Sequence, residues 1–317
     1  MILAAGLATR LRPLSLTRPK ILMPVQNRPL LLWLVEYLHS AGAQEVIVNA
    51  HHLAEKVVRY IKYGDFPIPV RVRVEKSLLG TGGGIRNVLD FWDDRPFVVI
   101  NGDILSAIDL RDVFETHQRS GAIATLVLKD DPRFNVVRVA DDGRILSFTG
   151  GGDNHLGFTG IQVLSPRALS TIPAEVPLSV IDCYLNLISK GEKVMAHVSE
   201  DEYWRELGNL PSYLHVHQEL FQMQNAPLPG LHVDGIPVVH ESARLGNNTR
   251  FDGMVCIGAE CKLSSGVTIE GSVIWDKVQI DSGCLIRESI VGDGVVVTDS
   301  LEDVAVGAEG SRVQLTG

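Results

Sequence analysis

Four cations fall within the short stretch LAAGLATRLRPLSLTRPK, residues 3–20: Arg10, Arg12, Arg18 and Lys20, with no acidic residue among them. A run of small residues through Gly6 precedes them. Small side chains let a backbone come close to a ligand, and free N–H groups there can hold phosphate oxygens. Arg10 would add a planar charged fork and Lys20 a point charge. Either this is a basic surface loop or it is built to grip an anion. Asp103 closes "NGD" after an apolar run. A carboxylate in that place holds magnesium together with waters and phosphate oxygens, or it simply closes a strand-end turn. The adjacent His51 and His52 supply no full ligand set and read as a strand-to-helix turn. His215 and His217 sit in a helical pattern and read as packing or solvent-facing residues.

The elements that must position these groups follow two regimes. The chain has 317 residues and a formal net charge of −9. The acidic average argues against a general binder of nucleic acid or anionic membrane and makes the local cations more informative. No apolar run approaches the roughly 18 residues of a membrane span, and the start lacks a signal-like basic region, so a cytoplasmic protein is expected. Cys183, Cys256, Cys261 and Cys284 form no C-x-x-C pair and read as reduced thiols rather than a zinc site. "EVIVNA" (45–50), "PVRVRVE" (69–75), "PFVVING" (96–102) and "AIATLVL" (122–128) predict strands. "PLLLWLVEYLHSAG" (29–42) and "LAEKVVRYIKYG" (53–64) predict amphipathic helices that stop near glycine. Alternating units of this kind predict an α/β fold with a mixed, mainly parallel, Rossmann-like sheet, in which ligands sit beyond the carboxyl ends of the strands.

After the Pro- and Gly-rich stretch 225–239, a linker by composition, the period changes. Leu245, Phe251, Ile257, Leu263 and Ile269 fall six residues apart, and Thr249, Val255, Cys261, Val267 and Val273 keep the same step. The step slips by one after Ile269 and resumes at Ile274, Ile280 and Ile286, which predicts a turn or bulge there. A period of six fits a three-sided coil with one apolar residue per side pointing inward: a short left-handed parallel β-helix of hexapeptide repeats, with a small β-sandwich as the alternative. The expected division is residues 1–228 and residues 229–317. The flat sides and open end of such a coil predict a homo-oligomer.

"LAAGLATRLRPLSLTRPKILMPVQNRPLL" closely resembles the signature of the sugar-1-phosphate nucleotidyltransferases, and "LLGTGGGIRN" (78–87), "FVVINGDIL" (97–105) and "FTGIQVLSP" (158–166) extend the resemblance. The C-terminal repeats match the hexapeptide domain that many members carry. The likeness is nearest to the mannose-1-phosphate guanylyltransferase-like and N-acetylmuramate-1-phosphate uridylyltransferase-like branch. It implies that an NTP and a sugar 1-phosphate give an NDP-sugar and pyrophosphate, with Mg²⁺. It further implies that Arg10 grips the triphosphate and Lys20 bridges the α-phosphate and the sugar phosphate. Leu3, Ala5 and Gly6 would touch base and ribose through their backbone, and Gly82 and Gly83 would let a second loop approach the nucleotide. Asn101 would order its turn or contact the nucleotide, Asp103 would bind the metal, and Asn135 and Gly160 would face the sugar. For Asn135 the alternative is a hairpin packed on the sheet.

Three positions depart from the family pattern. Ala8 stands where the family usually has glycine, so its methyl would crowd the triphosphate, or force a changed loop if the backbone needs φ > 0. "WRELGN" (204–209) carries Glu206 where a second metal-binding Asp is usual, longer by one methylene, and ends on Asn209. "FTGGGDN" (148–154) replaces an E-K-P sugar-binding triplet. These departures keep open a non-catalytic nucleotide-sugar-binding regulator. A UTP-dependent amino-sugar uridylyltransferase is a further alternative. An acyltransferase is disfavoured, because no histidine occurs from Leu245 to Gly317.

Overall fold

The computed structural model describes residues 1–150, 155–173, 176–231 and 235–315. The chain forms two compact units, Met1–Gly6 with Leu34–Trp204 and Leu7–Trp33 with Arg205–Gly317. The linker predicted over 225–239 and the loop predicted over 148–154 each lie partly outside the described residues.

The first unit is built on a sheet of β1 (Ile2–Leu3), β2 (Val46–Ala50), β3 (Val70–Val74), β4 (Phe97–Asn101), β5 (Ala124–Lys129), β6 (Asn135–Val139), β7 (Ile145–Ser147), β8 (His155–Leu164) and β9 (Val194–Val198). The order runs β7-β6-β8-β4-β1-β2-β3, with β5 on β8 and β9 on β5. β4, β1, β2 and β3 are mutually parallel. β8 runs antiparallel to β4, β5 and β6, which makes the sheet mixed. Every residue of β2 is buried, as expected of a strand covered on both faces. The helices are α1 (Leu30–Ser40), α2 (Ala54–Tyr63), α3 (Gly80–Arg86), α4 (Leu110–Ser120), α5 (Val180–Ser189) and, in the second unit, α6 (Leu210–Gln222). α4 shows how local signals start and stop a helix. Asp109 accepts from the N–H groups of Arg111 and Asp112 at its start, and Gly121 closes it in the left-handed conformation. Val99, Leu126, Leu128, Ile85, Val88 and Tyr184 share the core of this unit.

The C-terminal part of the second unit is a parallel coil with three faces. One face stacks Arg244–Leu245, Lys262–Leu263, Gln279–Ile280 and Val296–Val297. The second pairs Arg250 with Thr268, Ile269 with Ile286 and Ile286 with Leu301. The third pairs Val239 with Ile257, Ile257 with Ile274 and Ile274 with Val291. The slip in the period has a structural cause. Asp252 pairs with Glu270 and Val255 with Ser272, so Gly253 and Met254 on one coil stand opposite Gly271 alone on the next. Ile257, Leu263, Ile269, Ile274, Ile280 and Ile286 all point into one core. Each fully buried Ile is worth about 1.5–3 kcal/mol. Leu245 differs from the expectation, because it lies on an end coil and is exposed. An antiparallel strand, Arg312–Gln314, covers the last coil along Val304–Val306.

Candidate active site

The anion-grip stretch belongs, from Leu7 onward, to the second unit, where three short helical turns (Thr9–Leu11, Leu14–Leu16 and Lys20–Leu22) fold it. Ala8 opens the first turn at φ 50° and ψ 40°. The backbone there does need the left-handed region, which is why glycine suits the position. The Ala8 carbonyl accepts from the Leu11 amide at 3.0 Å and from the Ser15 hydroxyl at 2.8 Å, which fixes the bend. The guanidinium of Arg10 is 64% exposed and donates from Nη2 to Glu206 Oε1 at 3.2 Å. Glu206 folds back over Gly208, where a Cβ would stand 2.3 Å from its Oε1. Asn209 caps α6, its Oδ1 accepting from the Ser212 amide at 2.8 Å. Lys20 begins the third turn, whose next residues, Ile21, Leu22 and Met23, are buried.

The rest of this stretch is docked on α6 and the coil. The Arg18 guanidinium donates from Nε and Nη2 to the two carboxylate oxygens of Asp293, at 2.8 and 2.7 Å. Its Nη2 also reaches Asp276 Oδ2 at 2.6 Å, and its Cζ lies 5.1 Å from the Trp275 ring centre. Burial works against the charged guanidinium, yet the pull of Asp293 and Asp276 outweighs it, so its pKa rises. Burial raises the pKa of Asp293 despite Arg18. Trp275 Nε1 donates to the Tyr213 hydroxyl at 3.0 Å, and that hydroxyl donates to the Pro24 carbonyl. The Gln26 amide donates to His217 Nε2 at 3.3 Å, while His217 Nδ1–H donates to the Tyr213 carbonyl at 2.9 Å. Asn27 Nδ2 donates to the carbonyls of Val238 and Ile257.

In the first unit, Leu3, Ala5 and Gly6 lie at and just after the end of β1. Gly6 is exposed, with no atom within 4 Å of where a Cβ would be. A buried polar chain holds this end of β1. The Ala4 amide donates to Asn49 Oδ1 at 2.7 Å, and Asn49 Nδ2 donates to Glu75 Oε1 at 2.7 Å. Glu75 Oε2 then accepts the Leu79 amide at 3.2 Å, at the start of α3. Glu75 is 3% exposed. His51 joins through Nδ1 to the Glu75 carbonyl at 2.9 Å. Sequence reasoning passed over Asn49 and Glu75; a polar residue inside the otherwise apolar "VIVNA" was the available signal.

α3 is glycine-rich because it packs flush on residues 176–183. A Cβ on Gly82 would lie 2.8 Å from Cys183 Sγ, and one on Gly83 would lie 2.8 Å from the Val176 carbonyl oxygen. Both amides donate to the Leu178 carbonyl, at 2.9 and 3.3 Å. Asn101 ends β4, and the Gly102 amide donates to the Leu3 carbonyl at 2.8 Å. Gly160 interrupts the register of β8 at φ +80°, where a Cβ would stand 2.5 Å from Asn101 Nδ2. The glycine therefore clears space for the Asn101 side chain. Asp103 lies half-buried in the turn after β4. Asn135 spends both ends of its amide on its own turn: Oδ1 accepts the Asp131 amide at 3.0 Å and Nδ2 donates to Asp130 Oδ1 at 2.6 Å.

The structure thus brings Arg10 and Glu206 together in one unit, and Asn101 and Gly160 in the other. Among the described residues no three His, Cys, Asp or Glu side chains converge as a metal cage. The four cysteines are free and buried, burial pushing Cys183 and Cys261 up to about 11 and Cys256 to about 12. No helix among the described residues is long and apolar enough to cross a membrane.

The family model described as nucleotidyl transferase matches residues 1–223. The chain belongs to the nucleotidyl transferase family. The model of the GMPPB C-terminal domain matches residues 233–314 of this nucleotidyltransferase. The chain is 30% identical to the UTP–glucose-1-phosphate uridylyltransferase of Synechocystis sp., over 95% of this chain and 86% of that protein. It is also 30% identical to the mannose-1-phosphate guanylyltransferase of Mycobacterium tuberculosis, over 90% of this chain and 82% of that one. Among solved structures it resembles HddC from Yersinia pseudotuberculosis complexed with GMP-PN. There the TM-score is 0.58 and the identity 26%, covering 68% of this chain and 95% of that one.

Proposed function

We propose that this chain transfers a nucleotidyl group from an NTP to a sugar 1-phosphate, releasing pyrophosphate, with GTP and mannose 1-phosphate as the first pair. The observation that carries the pairing is the match of the C-terminal coil to the GMPPB C-terminal domain, joined in one chain to the nucleotidyl transferase match. A UTP-dependent reaction is the second reading, supported by the likeness to the Synechocystis uridylyltransferase.

An oxygen of the sugar phosphate attacks the α-phosphorus in line; the new P–O bond forms as the bond to the β-phosphate oxygen breaks, and pyrophosphate leaves. Such a transfer asks the protein for placement and charge rather than covalent chemistry. Arg10 would release Glu206 to take the β- and γ-phosphates with its fork. Lys20 would bridge the α-phosphate and the sugar phosphate. The backbone of Leu3, Ala5 and Gly6 would face base and ribose. Gly82 and Gly83, their amides held by Leu178, would act by keeping α3 flat against its support. Asn101 would contact the nucleotide, and Asn135 and Gly160 would border the sugar. Asp103 and Glu206, both hard oxygen donors, are the residues that would each hold Mg²⁺, an ion that keeps waters and takes phosphate oxygens. When bound it would neutralise phosphate charge. The division at residues 228 and 229 and the homo-oligomer formed through the coil are part of the same reading; sedimentation as a monomer would remove the latter.

The test is a pyrophosphate-release screen of several NTPs against a panel of sugar 1-phosphates, with and without Mg²⁺. Turnover greatest with GTP and mannose 1-phosphate is expected, and a UTP pair in front would install the second reading. Silence with every pair, alongside tight binding of an NDP-sugar, would replace both with a regulatory binder.

A further inference from the structure

Asp276 and Asp293 occupy the same place on consecutive turns of the coil, 17 residues apart. The coil repeat therefore stacks one carboxylate directly after the other, and the Asp276 amide donates to Asp293 Oδ1 at 3.3 Å. Asp276 is itself fixed, its Oδ1 accepting the Ala259 amide at 2.9 Å above Gly258, where a Cβ would stand 2.5 Å away. Two stacked, partly buried carboxylates repel unless a cation joins them. Arg18 is that cation: its fork spans both, and its face lies over Trp275. A lysine could not hold two carboxylates in one plane.

The stretch around Arg18 has further footholds on the same coil. Gly292 leaves room for Leu14, since a Cβ there would stand 3.1 Å from Leu14 Cδ2. Gly307 does the same for Pro13, at 2.7 Å. Arg18 lies two residues before Lys20, and its own amide donates to the Leu14 carbonyl. The geometry points to Arg18 as a positioning residue: clamped on the stacked pair Asp276 and Asp293, it makes the C-terminal coil part of the machinery that places Lys20 and Arg10 on phosphate. This rests on the nucleotidyl-transfer reading for what the two cations do, but not for where they are held. The coil is then a working support for the phosphate grip and not only an assembly surface.

The experiment uses the full chain. Arg18→Met alone strands two partly buried carboxylates and risks misfolding. The decisive variant is therefore R18M/D276N/D293N, which removes the clamp without leaving either charge unpaired. Three readouts are compared with the wild type: hydrogen exchange over residues 7–23 and over β4, calorimetric binding of inorganic pyrophosphate, and kcat and KM with GTP and mannose 1-phosphate. Exchange over 7–23 should rise while β4 stays protected, pyrophosphate binding should weaken about tenfold, and kcat should fall about 100-fold. R18K should be intermediate in kcat. Unchanged exchange over 7–23 overturns the clamp. Faster exchange with wild-type pyrophosphate affinity and kcat reduces Arg18 to an ordinary structural contact and overturns the positioning role. If the wild type turns over no pair, the functional reading fails separately, and exchange with pyrophosphate binding still decides the clamp.

Discussion

The stretch carrying Arg10 and Lys20 and the glycine helix Gly80–Arg86 are held in opposite ways. The first is fastened by side chains: a guanidinium on two carboxylates, a phenol on the Pro24 carbonyl, an imidazole on the Gln26 amide. The second is fastened by the lack of side chains, since Gly82 and Gly83 let the helix lie against Leu178 with both amides bonded to one carbonyl. A loop that must present charge can shift when its anchors rearrange. A helix locked by backbone contact has no such freedom, and any added atom meets backbone or sulfur. One support is therefore tunable and the other is steric.

The largest effects that could break this contrast are catalytic. Lys20→Met should lower kcat about 10³-fold, because the side chain presents charge to the phosphates. Asp103→Asn, which keeps the size of the side chain, should abolish Mg²⁺-dependent turnover. Activity in the Asp103 variant would strike out its metal role, and a collapsed melting curve in the Lys20 variant would show that the cation is a support after all.

Next comes the imidazole anchor. Burial pushes His217 down to about 4. The folded state therefore holds the ring neutral, while the unfolded chain takes up a proton near the ordinary pKa of about 6.5. Stability contributed by the neutral ring is complete above about 6.5, falls as the pH drops toward 4, and falls no further below it. The loss is about 3 kcal/mol. Urea unfolding from pH 7 to pH 4 should show that slope, and His217→Gln, which keeps a donor and an acceptor in place, should remove it. An unchanged slope in the variant would assign the acid sensitivity elsewhere.

The steric support should respond to a single methyl. Gly83→Ala places a Cβ 2.8 Å from the Val176 carbonyl oxygen. The backbone cannot swing away as a side chain could, so a cost of about 2 kcal/mol in urea unfolding is expected. A neutral result would mean that residues 176–183 yield easily, and the contrast between the two supports would soften.

How much of this was legible in the sequence differs by region for the same reasons. The coil's inward row, Ile257 to Ile286, was written in its six-residue step, and even the slip after Ile269 marked the bulge at Gly253 and Met254. The alternating strands and helices were equally plain, since period and caps are local signals. The antiparallel course of β8 was not, because pairing direction depends on partners distant in the chain. Charge and spacing mark all four cations of the stretch alike, and it is the family resemblance that gives the grip to Arg10 and Lys20; the coil repeat, which stacks Asp276 and Asp293, shows what holds Arg18. Asn49 and Glu75 stayed hidden because a buried amide and a buried carboxylate look like surface residues until the fold brings the end of β1 and the start of α3 to them. That Gly160 also clears space for the Asn101 side chain was not legible, because the two meet only across the sheet.

The smallest effect tests the loop at its bend. Ala8 sits at φ 50°, a conformation in which a Cβ costs about 1–2 kcal/mol. Glycine would relieve that strain, but it adds freedom to the unfolded chain worth about 0.5–1 kcal/mol. Ala8→Gly should therefore gain only about 0.5 kcal/mol in urea unfolding. The carbonyl that receives Leu11 and Ser15 stays where it is, so kcat should hold within about twofold. A loss of stability instead would mean that the methyl makes packing contacts that outweigh the strain. A large rise in kcat would mean that the methyl stands in the way of the phosphates, and the bend would then be a brake on the reaction rather than a support for the cations beside it.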